Sequence, residues 1–425
     1  MKPKVLVATT SRWVPTARLV MALANAGCTV EALCPAGHPV AKTSAVRQTH
    51  TYHGLAPLKS FKAAIVASNP DLIVPGDDLA TRHLHDLHRR GQQEGIAGAL
   101  ICALIERSLG PAESFHVVFA RSTFMEAAQQ AGIRVPKTRV VESTRDLRKQ
   151  AERLGFPLVL KANGTSGGDG VKIVQTIEEA ERTLRSLQAP PLFARAAKRA
   201  LVDRDATLLW PSLLRRRFVV NAQAFVAGRE ATSTIFCWNG SVLASLHFEV
   251  LNKMHAAGHA AVLRLIEHPE MSVAAEKIVR KLNLSGFYGF DFMLEMHTEN
   301  AYIIEVNPRT TQVGHLALGP RRDLPAALCA ALSGDSVPAT PKVTEKDTIA
   351  LFPQEWMRDP ASEFLRSGYH DVPWDEPALV SHCISKSQTE RDWYLKQRSS
   401  VVRSPSLPLT VRPEHRAVEV DCEAK

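Results

Sequence analysis

Gly289-Phe290-Asp291-Phe292-Met293-Leu294-Glu295 and Tyr302-Ile303-Ile304-Glu305-Val306-Asn307-Pro308-Arg309 are two runs with alternating apolar residues on either side of a polar turn near Thr298. That is the pattern of two antiparallel strands. A hairpin symmetric about Thr298 sets Asp291 opposite Glu305, seven residues out on each side. Carboxylates facing each other across a ladder repel, and a cation between them removes the objection. Asn307, two residues beyond Glu305, shares its face and offers a third oxygen. Two carboxylates and an amide suit Mg²⁺, which completes its octahedron with water and nucleotide phosphates. The pattern therefore predicts a nucleotide as well as a metal, the plainer reading being two solvated acids on an exposed sheet face. Arg309 would sit beside the phosphates or hold a substrate carboxylate in its planar fork.

A second segment runs Phe156-Pro157-Leu158-Val159-Leu160-Lys161 into Gly164-Thr165-Ser166-Gly167-Gly168-Asp169-Gly170, four glycines in seven residues, and returns through Val171-Lys172-Ile173-Val174. Glycine amides approach phosphate oxygens without obstruction by a Cβ, and Lys161 at the strand end adds a cation. No G-K-[ST] follows and the loop enters a strand, so this is not a P-loop. A flexible surface flap is the competing reading.

Upstream, Lys4 to Ala8, a helix from about Pro15 to Ala26, Thr29 to Leu33 and Leu72 to Pro75 give a βαβ rhythm, hence a parallel sheet with helices on its faces. The turn after the first strand, Thr9 to Thr16, holds no glycine, which argues against a dinucleotide site there. Gly76-Asp77-Asp78 follows a strand directly, either as a crevice lining or as a turn with a helix N-cap; Asp77 or Asp78 would suit an amine. His83, His85 and His88 diverge on a helix and make a poor metal set. From Arg121 a distinct α+β region begins, with a capping box at Thr123 and Glu126 and a helix from about Thr144 to Leu154.

Lys161 with its glycine loop, Asp291, and Glu305-Val306-Asn307-Pro308-Arg309 resemble the ATP-grasp superfamily, over roughly residues 1–335. The E-x-N-P-R element is the specific part. The resemblance implies a Rossmann-like pre-ATP-grasp α/β domain at residues 1–115 and an α+β ATP-grasp domain at 116–335 with its lid at about 135–225. A small C-terminal cap at 336–390 and a flexible tail at 391–425 complete the expected division, since periodicity fades there. By resemblance Asp291, Glu305 and Asn307 bind Mg²⁺, with Mn²⁺ as a substitute. Lys161 contacts the α-phosphate side of ATP, and Arg121 stands where the family often carries its other nucleotide lysine. Gly164, Gly167, Gly168 and Gly170 cover the phosphates. Gln223-Ala224-Phe225-Val226 resembles the hinge whose backbone meets adenine, and Glu230 would accept from the ribose.

The implied activity is that of a ligase which activates a carboxylate as an acyl phosphate and passes it to an amine, with amino acids or small peptides as the substrate class. Arg309 and Lys161 would neutralise the transferring group, and specificity would come from Asp77, Asp78, the segment Phe248 to His259 and the cap. A biotin carboxylase or carbamoyl-phosphate-type activity is the runner-up, because Gln312-Val313-Gly314-His315 is similar to the carboxylase element after its arginine. There the family carries an acid where this chain has Gly314. A nucleotide binder without catalysis is a third reading, and relatives of this architecture form homodimers.

Composition bounds these readings. The chain has 425 residues, a formal charge of +9 and seven widely scattered cysteines without a C-x-x-C pair. Unpaired, scattered thiols predict a reducing cytoplasm, and no run approaches the ~18 apolar residues of a membrane span. The basic residues form no stripe interleaved with aromatics, which argues against nucleic acid. Their one compact run, Arg215-Arg216-Arg217, is a solvated loop or an attractor of anions.

Overall fold

Val5, Leu6, Val7 and Ala8 are fully buried, and their alternation decides which of two cores each enters. Val5 and Val7 pack with Leu19, Val20 and Leu23, whereas Leu6 and Ala8 pack with Phe61, Leu84 and Ile105. A strand covered on both faces needs apolar residues at every position, as parallel sheets do. The structure, a computed structural model, describes residues 2–163, 170–189, 218–255, 258–337 and 341–385.

The first layer comprises β1 (Lys4–Ala8), α1 (Val14–Asn25), β2 (Thr29–Cys34), β3 (Gln48–Thr51), α2 (Pro57–Ser68), β4 (Leu72–Pro75), α3 (Asp78–Gly91), α4 (Gly95–Leu109) and α5 (Ala112–Phe119). Its sheet is wholly parallel in the order β3-β2-β1-β4. The order reverses between β1 and β4, so the crevice beyond the carboxyl ends of those strands is where such a sheet takes ligands. The loops Thr9–Ser11 and Gly76–Asp78 form it.

The next elements are α6 (Arg121–Gln130), β5 (Thr138–Val141), α7 (Thr144–Leu154), β6 (Leu158–Ala162), β7 (Val171–Val174), α8 (Ile177–Gln188) and β8 (Val220–Ala224). The four strands form an antiparallel sheet in the order β5-β8-β6-β7. Its own core joins Leu147, Leu158, Leu160, Leu184 and Val220. Helix α7 keeps its expected bounds, capped by Ser143 accepting from the Asp146 amide. Helix α6 starts at Arg121 with Ala120 as N-cap and no side-chain cap, so the expected box at Thr123 lies inside the first turn.

The largest sheet is built from β9 (Gly228–Trp238), β10 (Ser241–Lys253), β11 (Ala260–Leu265), β12 (Gly286–Glu295), β13 (Ala301–Asn307), β14 (Thr348–Leu351) and β15 (Tyr369–Asp371). Helices α9 (Pro269–Leu282) and α10 (Leu324–Ser333) pack on it, and the short α11 (Gln354–Arg358) and α12 (Phe364–Ser367) flank its far edge. The strand order is β13-β12-β9-β10-β11-β14-β15. The segment expected as a separate cap thus supplies the last two strands of this sheet. The expected tail lies outside the described residues, as do Arg215 to Arg217.

The three α3 histidines take three different partners. His83 meets the Tyr52 hydroxyl at 3.1 Å, His85 stacks on Phe115 at 3.9 Å, and His88 meets Glu106 at 2.6 Å. Among the described residues no single helix is long and apolar enough to cross a membrane.

Candidate active site

Near the turn, β12 and β13 pair as Leu294↔Ala301, Met293↔Tyr302 and Phe292↔Ile303, and then as Asp291↔Glu305. Ile304 is therefore the extra residue of a β-bulge. Without it Asp291 would face Ile304, and Glu305 would lie on the opposite face of the sheet. The bulge thus restores the pairing that symmetry about Thr298 predicts. It also presents the Ile304 carbonyl, which accepts from Lys161 Nζ at 3.3 Å. Gly289 lies opposite Asn307, and a Cβ there would come 2.5 Å from Thr311 Cγ2, so a larger residue would require Thr311 to shift.

Each carboxylate is held by donors. Asp291 accepts from Thr232 Oγ1 at 2.9 Å and from Asn307 Nδ2 at 3.0 Å. Burial, then the neighbouring Glu305, pushes its pKa up to about 6. Glu305 Oε1 accepts from an Arg121 terminal nitrogen at 2.7 Å. Lys161 is 5% exposed, and burial brings its pKa down to about 8 against the opposing pull of Glu305.

Arg309 is anchored through each nitrogen. Nε donates to Asp78 Oδ1 at 3.1 Å, one terminal nitrogen to the Thr310 carbonyl at 3.0 Å and the other to Asn307 Oδ1 at 3.3 Å. Its guanidinium lies 5.5 Å from the Trp13 ring centre, and Asp78 leads the charges that hold its pKa up against burial. Asp77 caps α3 through the Ala80 amide and accepts from Thr9, Thr10 and Ser11. The expectation that Asp77 or Asp78 receives an amine is thereby corrected, since one is saturated by hydroxyls and amides and the other is paired with Arg309.

Other expected site residues are more dispersed. Gln223 is buried and donates to Thr138 Oγ1 at 2.9 Å; the Ala224 amide donates to the Lys137 carbonyl at 2.9 Å. Phe225 and Val226 lie in the connection between β8 and β9. Glu230, on β9, accepts from Lys253 Nζ at 2.6 Å. Gly170 accepts from the Ala162 amide at 2.9 Å, and Gly164, Gly167 and Gly168 lie outside the described residues. Thr232 and the Ile304 carbonyl were not foreseen. Thr232 was legible in principle as a β-branched hydroxyl two positions beyond Glu230; a bulge has no comparable signal.

The donor set fits a hard cation that completes its shell elsewhere. Two half-buried carboxylates face each other, one of them, Asp291, made reluctant to ionise by its surroundings and then by the other. The amide is oriented differently from expectation: Asn307 turns its nitrogen to Asp291 and its oxygen to Arg309, and a half-turn would exchange them. Among the described residues no group of three or more His, Cys, Asp or Glu side chains forms a metal cluster. The cations Arg121, Lys161 and Arg309 suit nucleotide phosphates.

Residues 120–209 match the model of the carbamoyl-phosphate synthase L chain, ATP binding domain, and residues 208–313 that of the ATP-grasp domain. The carbamoyl phosphate synthase large chain of Rubrobacter xylanophilus is 26% identical over 62% of this chain and 23% of its own length. That of Thermotoga maritima is 25% identical over 68% of this chain and 25% of its own length. The chain thus spans about a quarter of the length of these curated relatives. The biotin carboxylase domain dimer of Hydrogenobacter thermophilus 2-oxoglutarate carboxylase, solved with MgADP, ADP and bicarbonate, is 15% identical with a TM-score of 0.54, covering 79% of this chain and 70% of that one. Staphylococcus aureus N5-carboxyaminoimidazole synthetase with ADP is 16% identical with a TM-score of 0.53, covering 80% of this chain and 79% of that one. Residues 120–313 thus match ATP-grasp-type family models, the carboxylate hairpin lies within that stretch, and the chain shares its fold with these ADP-bound structures.

Proposed function

We propose that the chain is an ATP- and Mg²⁺-dependent ligase that activates a carboxylate as an acyl phosphate and couples it to the amine of an amino acid or peptide-like substrate, releasing ADP and phosphate. The observation that carries this reading is Asp291 opposite Glu305 on a half-buried stretch of the strand pair, with Arg121 bonded to one carboxylate and Lys161 to the carbonyl beside it. When bound, ATP supplies the phosphoryl group and Mg²⁺ neutralises its oxygens. Asp291 and Glu305 would hold the cation, Asn307 joining them once its amide turns. Lys161 and Arg121 would take phosphate oxygens on one side.

Arg309 would meet the incoming carboxylate from the crevice. Its fork carries five N–H groups, and each nitrogen donates once within the described residues, so donors remain for a substrate. No protein nucleophile is required, because the substrate carboxylate attacks the phosphorus itself. The backbone from Ala224 to Val226 and the Glu230 carboxylate are the proposed adenine and ribose contacts.

A second reading makes bicarbonate the carboxylate, favoured by the match to carbamoyl phosphate synthase large chains. Against it, position 314 is glycine, so the acid that the resemblance implies there for bicarbonate is missing. Phosphate release from ATP and Mg²⁺, measured across amino acids offered singly and in pairs and with bicarbonate, separates the two. Stimulation by a carboxylate–amine pair, lost in Glu305→Gln, supports ligation. Stimulation by bicarbonate alone moves the assignment to the second reading, and absence of release with every addition contradicts both.

A further inference from the structure

We propose that Arg121 competes with the divalent cation for Glu305, so that metal enters the hairpin site only with nucleotide phosphates that draw the guanidinium away. The inference rests on the metal–nucleotide reading of the site. Arg121 is the first residue of α6, and its side chain crosses to β13 to place one terminal nitrogen 2.7 Å from Glu305 Oε1. The pair is sheltered, at 13% exposure for Arg121 and 27% for Glu305. A cation at the ~2.1 Å that Mg²⁺ demands would lie only a few ångströms from the guanidinium on the same carboxylate, and at that range in a sheltered site the two positive charges repel.

The other terminal nitrogen of Arg121 is buried and bonded to nothing among the described residues. An unsatisfied buried donor is costly, and a phosphate oxygen would satisfy it. A planar head with two terminal nitrogens can exchange a carboxylate for a phosphate by a small rotation, which an ammonium point charge does less readily. Charge balance points the same way. Asp291, Glu305, Arg121 and Lys161 carry no formal net charge together, so a divalent cation alone would leave a sheltered site strongly positive. Anionic phosphates arriving with it offset that excess. Arg121 is thus a coupling residue: it lowers affinity for metal alone and raises affinity for metal with nucleotide, the two effects being linked.

The test is Mn²⁺ binding to the full chain by electron paramagnetic resonance, without nucleotide and with a non-hydrolysable ATP analogue. Arg121→Ala and the better size-matched Arg121→Gln are expected to bind Mn²⁺ without nucleotide about tenfold or more tightly than the unsubstituted chain. Arg121→Lys, which keeps the charge, stays close to the unsubstituted chain, and Glu305→Gln added to Arg121→Ala abolishes the gain. The analogue strengthens Mn²⁺ binding less in Arg121→Ala than in the unsubstituted chain. Unchanged or weaker Mn²⁺ binding in a folded Arg121→Ala or Arg121→Gln chain overturns the proposal. If the analogue binds no form of the protein, the ligase reading falls, while the comparison without nucleotide still decides whether Arg121 and metal compete.

Discussion

Arg309 donates from Nε to Asp78 Oδ1 at 3.1 Å and so ties the carboxylate hairpin to the loop that follows β4. This ion pair sets the guanidinium plane at the mouth of the crevice. Arg309 is 14% exposed and Asp78 36%, so solvent screens the pair in part and its coupling should be about 1 kcal/mol. A double-mutant cycle of Asp78→Ala and Arg309→Ala, read from urea midpoints, checks this. Additive effects would mean that the backbone carbonyl of Thr310 and Asn307 hold Arg309 unaided.

Lys161 gives a pH signature. Burial brings its pKa down to about 8, so the ammonium is present below that pH and lost above it. Affinity for the ATP analogue should then decline by up to about tenfold per unit above pH 8, until the pKa raised by bound phosphates is reached. Lys161→Arg should remove the decline and Lys161→Met should weaken binding at every pH. Fluorescence titration from pH 7 to 9.5 follows the effect.

Two buried histidines predict acid sensitivity of the fold. Burial holds His85 down at about 3 and His247 at about 4, both below the ordinary 6.5. Folded pKa values below unfolded ones mean that the unfolded chain takes up protons first as pH falls. Stability is therefore full above about pH 6.5 and falls by roughly 1.4 kcal/mol per unit and per histidine, until each folded pKa is reached. Denaturant midpoints between pH 7 and 4.5 measure the slope, and His85→Phe should reduce it. His85 stacks flat on Phe115 at 3.9 Å, so the replacement ring has a ready partner.

What the sequence revealed and what it withheld divide along physical lines. Asp291 opposite Glu305 was legible because alternation and a polar turn set register over a short distance. The parallel first sheet was legible because apolar runs such as Val5–Ala8 recur between helical stretches. Ile304 was not: a bulge residue looks like any other strand residue, and only pairing distinguishes it. Asp77 satisfies Thr9, Thr10 and Ser11 across more than sixty positions, and periodicity carries no information about such contacts. Strands β14 and β15, four and three residues long, are too short for alternation to mark them, which is why their place on the large sheet was missed. The exchange of roles at Asn307, nitrogen to Asp291 and oxygen to Arg309, depends on side-chain geometry alone.

The most direct test of the hairpin as a metal–nucleotide site is calorimetric titration of the non-hydrolysable ATP analogue with and without Mg²⁺, into the unsubstituted chain and the Asp291→Asn, Glu305→Gln double variant. Mg²⁺ should tighten binding by at least about tenfold in the unsubstituted chain and have no effect in the double variant, whose folding is verified by its thermal transition. Equal enhancement by Mg²⁺ in both chains would contradict the account and place the metal elsewhere.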